Sequence, residues 1–148
     1  MIKKIILFFL LITVSNCGYE PTLKKGFNLS IQSFELIGDK NINRSIVSLL
    51  SLKKNVSNTS DYTMTLNSQK SIISAAKDKS GKTSVFRTII NLKLQLHQNG
   101  KLIKERSFSS SFTYNNSENN HDLLQYQKTI EINLINKISE EIIIYLNS

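Results

Sequence analysis

The feature that most constrains the fold is a nearly alternating stretch, residues 86–97, that ends close to an Asn-Gly pair. Its period of two predicts a strand with one buried and one solvated face. The buried face carries Phe86, Ile90, Leu92, Leu94 and Leu96, and the solvated face carries Arg87, Asn91, Lys93, Gln95 and His97. Because Asn99-Gly100 favours a tight hairpin, an antiparallel strand is expected to follow at once.

That following strand, residues 102–114, creates a conflict of register. Across a plain two-residue turn, an unbroken ladder would place the serines of this strand on the buried face and its phenylalanines outside. A shift of one residue reverses every side chain. We therefore predict a bulge or a longer loop between Asn99 and Ser107, which would return Phe108 and Phe112 to the core.

Two further strands and two helices are indicated by periodicity. Alternation predicts a first strand at residues 27–37 and a second that begins at Tyr62 and runs toward Ala75. Between them, apolar residues recur at helical spacing from Ile42 to Leu50, with Asp39 or Asn41 as the N-cap. The regions 55–60 and 115–122 are polar loops, and 78–81 is a turn. A long terminal helix is predicted from Leu123 nearly to the end of the chain, with Asp122 as the candidate N-cap. Its apolar stripe is formed by Leu123, Tyr126, Ile130, Leu134, Ile138, Ile142 and Tyr145. Three further residues widen this stripe, namely Ile132, Ile135 and Ile144.

The resulting order, β-α-β-β-β-α, predicts an α+β fold. A helix between the first two strands favours a parallel crossover, and the later strands should run antiparallel. The economical arrangement is a two-layer sandwich, with a four-stranded mixed sheet and two helices on one face. The other face of the sheet is polar and is expected to meet water or a polar partner.

The N-terminus predicts export and lipidation. Lys3 and Lys4 precede an apolar run at residues 5–14, which has the length of a signal-peptide core and is too short to span a bilayer. Cys17, the only cysteine, follows after Ser15 and Asn16. This arrangement resembles a bacterial lipobox, although Asn16 stands where a smaller residue is usual. We expect residues 1–16 to be a lipoprotein signal peptide, residues 17–26 a lipid-attached tether, and residues 27–148 a single periplasmic domain.

Charge narrows the class of partner. The chain has 19 Lys and Arg against 11 Asp and Glu, a formal charge of +8, of which Lys3 and Lys4 supply two. A basic surface favours anionic partners. Because export would remove the chain from nucleic acid, the alternatives are anionic lipid or a solvated surface without a ligand.

The sequence offers little for catalysis. His97 and His121 both lie beside turns, no cysteine follows Cys17, and no serine stands in a nucleophile-elbow pattern. Gly81-Lys82-Thr83 is similar to the end of a phosphate-binding loop, but Ala76 stands where that motif requires glycine. We expect no enzyme, no metal site and no cofactor apart from the acyl chains covalently bound to Cys17.

Four segments resemble the lipopolysaccharide-assembly lipoprotein family LptE. They are CGYEP (17–21), SFELIGDK (33–40) leading into a helix with Arg44 in its first turn, the region from Ala76-Lys77-Asp78 to Ser84-Val85-Phe86-Arg87, and SFTYNN (111–116) before the terminal helix. The resemblance implies an outer-membrane lipoprotein that sits as a plug in the LptD β-barrel, helps it assemble and takes part in inserting lipopolysaccharide. By position, the candidates for lipopolysaccharide contact are Lys77, Lys79, Lys82 and Arg87.

Other functions remain open at this point. The chain could be an accessory lipoprotein of another outer-membrane machine, such as barrel assembly or a secretion pilotin. It could also be a free-standing lipid-binding lipoprotein, which would need a concave apolar pocket between helices and sheet. Whether lipopolysaccharide is bound by this chain or only by its partner does not follow from the sequence.

Overall fold

The computed structural model describes residues 31–51 and 62–148. The elements in chain order are β1 (Ser33–Gly38), α1 (Lys40–Leu49), β2 (Tyr62–Lys77), β3 (Thr83–Gln98), β4 (Lys101–Asn115) and α2 (Asn120–Asn147). The four strands form one sheet in the order β1-β2-β3-β4, with β1 parallel to β2 and the other pairs antiparallel. The predicted α+β layout is confirmed. Neither of these helices has a stretch long and apolar enough to cross a bilayer.

The predicted signal peptide (1–16), Cys17, the tether (17–26), the start of the first predicted strand (27–30) and the loop 55–60 all lie outside the described residues. The described strands otherwise overlap their predicted positions with shifted ends. β1 begins at Ser33, β2 runs two residues past Ala75, and β3 begins at Thr83, three residues before the predicted start.

The β1–α1 junction depends on one glycine and one aspartate. Gly38 has φ +79°, and a Cβ built on it would lie 2.0 Å from the backbone oxygen of Ser68. The chain then leaves the sheet, and Asp39 begins the helix as N-cap, its carboxylate accepting hydrogen bonds from the amides of Asn41 and Ile42 at 3.0 and 3.2 Å. Of the two predicted caps, Asp39 is therefore the one used. β1 ends here because the backbone turns away, not because its partner strand stops.

The predicted bulge in the third and fourth strands is confirmed. Asn99 and Gly100 both have positive φ, which is the conformation of a type I′ turn. Leu102 still pairs with His97, but Lys104 pairs with Leu96, so Ile103 is the extra residue.

The bulge restores the register for one phenylalanine but does not bury both. Phe108 is 3% exposed, as predicted, while Phe112 is 46% exposed. Phe112 pairs with Thr88 and so does face the helix side of the sheet, but it lies beyond the cover that the helices provide. The prediction that it belongs to the core was therefore wrong.

The terminal helix begins earlier than predicted. Its N-cap is Asn119, whose side-chain oxygen accepts from the amides of His121 and Asp122. Asp122, the predicted cap, lies inside the first turn instead, where its carboxylate accepts from the side-chain amide of Asn119 at 2.8 Å. Its negative charge also interacts favourably with the positive end of the helix dipole.

The helices and the sheet enclose one core. Its buried side chains come chiefly from α1, from the even-numbered positions of β2 and β3, and from the second half of α2. The predicted stripe on α2 is buried at Ile130, Leu134, Ile138 and Ile142. Ile132 and Ile144, expected to widen the stripe, are exposed, and so is Tyr126, whereas Ile135 is buried where α1 and α2 meet.

Candidate functional site

The basic hairpin tip, residues 77–82 between β2 and β3, gathers three of the four predicted lipopolysaccharide-contact residues. Lys77 is the last residue of β2, and Lys79 and Lys82 lie in the turn; all three are exposed. Arg87 is set back within β3, also exposed, and its Nε donates to the hydroxyl of Thr113 at 3.0 Å. The structure thus groups the lysines and keeps Arg87 apart, anchored on the neighbouring strand.

The turn itself is held by Asp78. One carboxylate oxygen accepts from the amide of Ser80 at 2.8 Å, the hydroxyl of Ser80 at 2.7 Å and the amide of Lys82 at 3.0 Å. Backbone bonds from Asp78 to Lys82 and from Gly81 to Asp78 close the turn, and Gly81 has φ +81°. Short polar side chains that bond to nearby backbone amides are typical of stable turns.

These bonds also set the ionisation of Asp78. The hydroxyl of Ser80, followed by the backbone amides of Lys82, Ser80 and Gly81, holds the pKa of the Asp78 carboxyl below its ordinary value. The carboxylate is therefore charged, yet it is directed at its own turn rather than at a lysine.

The lysines of the tip have no acidic partner among the described residues. The two ion pairs found there are Lys70 with Glu131 at 2.7 Å and Lys93 with Glu105 at 3.0 Å. Residues 77–82 contain three lysines and one aspartate, a net charge of +2. Uncompensated ammonium groups on a rigid turn are suited to an anionic ligand.

Exposed apolar side chains lie next to this charge. Ile72 and Ile73 are 43% and 44% exposed and, as neighbours on one strand, point to opposite faces of the sheet. Ile72 and Phe112 both pair with Thr88, so they flank it on the helix side. Periodicity could not identify these residues as exposed, because it assigns a face but not the extent of the cover over that face.

The face of the sheet away from the helices is polar, as predicted. A shallow groove of about 390 Å³ on this face is lined mainly by Asn67, Gln69, Asn91, Lys93, Ser107 and Ser109. Beside it, the side-chain amide of Gln95 and then the ammonium of Lys93 lower the pKa of the Glu105 carboxyl. Hydrogen-bond donors and hydrogen-bond acceptors are therefore both spread over this face.

Sequence reasoning missed a second basic cluster, at the C-terminus of α2. Lys104 donates to the backbone oxygens of Tyr145 and Leu146, both at 3.4 Å. Its positive charge also interacts favourably with the negative end of the helix dipole there. The guanidinium of Arg106 lies 5.3 Å from the ring centroids of Phe108 and Tyr145. These cations stabilise the fold through partners of their own, unlike the lysines of the hairpin tip.

Within residues 31–51 and 62–148, no three His, Cys, Asp or Glu side chains come together as metal ligands would. His121 is exposed in the first turn of α2, and His97 is half-buried near the Asn-Gly turn.

Comparison with known proteins identifies the fold. No protein-family model and no curated protein sequence matches the chain. Among solved structures, it is similar to the rare lipoprotein B from Shewanella oneidensis, with TM-score 0.53 and 13% identity over 74% of this chain and 92% of that one. A minor lipoprotein from Acinetobacter baumannii gives TM-score 0.54 and 10% identity, over 77% and 89%. An uncharacterised lipoprotein B from Nitrosomonas europaea gives TM-score 0.54 and 9% identity, over 77% and 81%. The chain therefore has the fold of small bacterial lipoproteins.

Proposed function

We propose that this chain is a lipid-anchored outer-membrane lipoprotein of the LptE type, which complexes with an LptD-type β-barrel and assists its assembly and the insertion of lipopolysaccharide. The observation that carries the proposal is a small-lipoprotein fold on a chain whose only cysteine stands three residues after the end of a signal-like apolar run. The role is one of contact rather than catalysis, and the partners are the barrel, lipopolysaccharide and the membrane.

Anchoring would place the domain where it acts. Acylation of Cys17 would hold the chain at the periplasmic side of the outer membrane. A single acyl chain binds a membrane only weakly, and this cysteine would carry diacylglycerol and an N-acyl chain together, which is enough for stable anchoring. Mass spectrometry of the chain purified from membranes should find Cys17 as the first residue, bearing diacylglycerol and an N-acyl chain. A free thiol, or an intact segment 1–16, would contradict the anchor.

In this proposal the hairpin tip contacts the phosphates of lipid A. The ammonium groups of Lys77, Lys79 and Lys82 would form charge-assisted hydrogen bonds with phosphate oxygens. Arg87 is already bonded to Thr113, and its remaining N–H groups stay available on the polar face.

The polar sheet face supports the barrel partnership. The lumen of an outer-membrane barrel is lined by polar side chains, and the face that carries Asn67, Asn91 and Ser109 offers donors and acceptors in the same plane. A plug with this face against the wall would exchange hydrogen bonds with water for hydrogen bonds with the barrel.

Charge reversal tests the lipid contact. The double variant Lys79→Glu/Lys82→Glu should bind lipopolysaccharide at least about tenfold more weakly in a pull-down, because two attractions of about 1 kcal/mol each become repulsions. The matched control is Lys128→Glu/Lys137→Glu, which makes the same change in net charge at exposed positions of α2. Equal binding by the two double variants would contradict a role for the tip.

Crosslinking in cells tests the partnership. If the proposal holds, the main protein that co-purifies with the crosslinked chain is an LptD-type barrel. Recovery of barrel-assembly or secretion components instead would assign the chain to another outer-membrane machine.

A further inference from the structure

Strand β2 extends well past the end of its neighbour β1. The pairing of β1 with β2 stops at Gly38 and Ser68, where Gly38 turns the chain into α1. Pairing with β3 continues without interruption to Ser74, after which the register shifts. Residues 69–74, which we call the free β2 edge, thus have a strand on one side only among the described residues.

The backbone groups directed at this edge can be identified. The carbonyl of Tyr62 accepts from the amide of Gln32 at 2.8 Å, and that of Ser68 accepts from the amide of Asp39 at 3.0 Å, both on the β1 side. Because hydrogen-bonding direction alternates along a strand, the even-numbered residues of β2 point their N–H and C=O groups to that side. Lys70, Ile72 and Ser74 therefore present three donors and three acceptors with which none of the described strands pairs.

Residues 71–74 of the free β2 edge lack the features that usually block strand addition, whereas Lys70, the one charged residue on this edge, lies on the helix side and is paired with Glu131. Proteins protect exposed edges with charges, prolines, bulges or inward-pointing ionic side chains. The first part of β4 has such protection, with the bulge at Ile103 and with Lys104 and Arg106 on the helix side of the sheet. Residues 71–74 are Ser-Ile-Ile-Ser, without charge or proline, and both isoleucines are more than two-fifths exposed.

Charge indicates what kind of strand would bind. The edge contains no acidic residue, the ammonium of Lys70 is paired with Glu131, and the basic hairpin tip adjoins its far end. At the near end, Lys40 is the first residue of α1 and is exposed, while the carboxylate of the adjacent Asp39 accepts from the amides of Asn41 and Ile42 within its own helix. A second copy of the chain would bring like charges together, whereas acidic side chains flanking an apolar core would complement both ends.

We propose that the free β2 edge binds an extended segment of a partner protein by strand addition, and that this segment has alternating apolar side chains flanked by acidic residues. Backbone hydrogen bonds to Lys70, Ile72 and Ser74 supply the affinity, and Ile72 and Ile73 contact the apolar side chains of the added strand on the two faces of the sheet. This inference does not depend on lipopolysaccharide binding.

Two synthetic peptides serve as probes for the full-length chain in detergent. They share an alternating Thr-Val core and end in Glu at both termini or in Lys at both termini. By fluorescence anisotropy, the Glu-ended peptide should bind at least about tenfold more tightly than the Lys-ended one. Equal binding of the two peptides, or no binding of either, would overturn the proposal.

A substitution at one position separates backbone from side-chain effects. Ile72→Pro removes the outward N–H and leaves the bonds to β3 intact, since proline is tolerated on edges; Ile72→Ala removes the side chain and keeps the donor. The proline variant should bind the Glu-ended peptide at least about tenfold more weakly than the alanine variant. Equal affinities would show that the edge backbone is not used.

Hydrogen exchange of the unsubstituted chain provides a test that does not require a variant to fold. Without peptide, the amides of Lys70, Ile72 and Ser74 should exchange quickly and those of Ser71 and Ile73 slowly; with the Glu-ended peptide, the first three should become protected. Protection of these three amides in the free chain, or concentration-dependent dimerisation through this edge in sedimentation, would refute an acidic partner strand.

Discussion

Replacement of Gly38 by alanine tests how the chain leaves the sheet, and Gly81 provides a matched comparison. Both glycines have φ close to +80°, but a Cβ at Gly38 would lie 2.0 Å from the backbone oxygen of Ser68, while no atom of the described residues lies within 4 Å of a Cβ at Gly81. Each alanine incurs the left-handed backbone cost of about 1–2 kcal/mol. Only at Gly38 must the backbone of a neighbouring strand also move.

The additional cost at Gly38 follows from the bonds that this movement would disturb. The amide of Asp39 donates to the oxygen of Ser68 at 3.0 Å, and the hydroxyl of Ser68 donates to the oxygen of Asp39 at 3.0 Å. An intramolecular hydrogen bond contributes about 1 kcal/mol, so loss of both adds about 2 kcal/mol. We expect Gly38→Ala to lower the free energy of unfolding by about 3–4 kcal/mol in all, against about 1–2 kcal/mol for Gly81→Ala.

Urea denaturation followed by circular dichroism measures both values. With m values of about 1–3 kcal/mol/M, the two midpoints should differ clearly while the slopes stay the same. Equal midpoints would refute the argument, since the close approach to Ser68 is the only difference between the two sites that enters the calculation. A Gly81→Ala variant less stable than Gly38→Ala would refute it more strongly.

Three further predictions concern the core, the hairpin turn and the terminal helix. Phe108→Ala should cost about 3–5 kcal/mol in urea denaturation, because Phe108 is buried, whereas Phe112→Ala should cost clearly less, because Phe112 is half-exposed; similar losses would contradict the observed difference in burial. Asp78→Asn should lower the free energy of unfolding relative to the unsubstituted chain at neutral pH. Because the folded-state pKa of Asp78 lies below the ordinary value of 3.8, this difference in stability should shrink as the pH falls through and below 3.8. A difference in stability that stays constant down to strong acid would contradict a charge effect. Asn119→Ala should cost about 1 kcal/mol and Asp122→Ala less, as thermal unfolding can show, and the reverse order would mean that Asp122 is the cap.

The basic residues of this domain fall into two groups that differ in their contacts. The lysines of the tip lack acidic partners among the described residues, whereas Lys104 and Arg106 are engaged with the end of α2 and with aromatic rings. This contrast is the reason that charge reversal at Lys79 and Lys82 is expected to change ligand binding with little effect on stability. Measurement of both quantities on the same variants separates a contact role from a structural one.

Local chemistry was sufficient to predict much of the fold from the sequence. The alternation in β3 and the Asn-Gly pair define the hairpin, and the conflict between serines and phenylalanines required the bulge that Ile103 provides. Asp39 could be named as one of two candidate helix caps, beside Asn41, because a short polar side chain before a helical stripe satisfies free amides. Each of these features depends on residues close together in the chain or on the strict period of a strand.

Only the tertiary structure decided how far the cover over each face extends. Phe112, Ile132 and Ile144 fit the apolar periodicities yet are exposed, because burial depends on where α1 ends and how α2 crosses the sheet. Likewise, the lysines of residues 77–82 are visible in the sequence, but their lack of acidic partners within residues 31–51 and 62–148 and their position beside the free β2 edge are not. Periodicity fixes the direction of a side chain, whereas its neighbour across the fold comes from a segment distant in the chain, which no local pattern specifies.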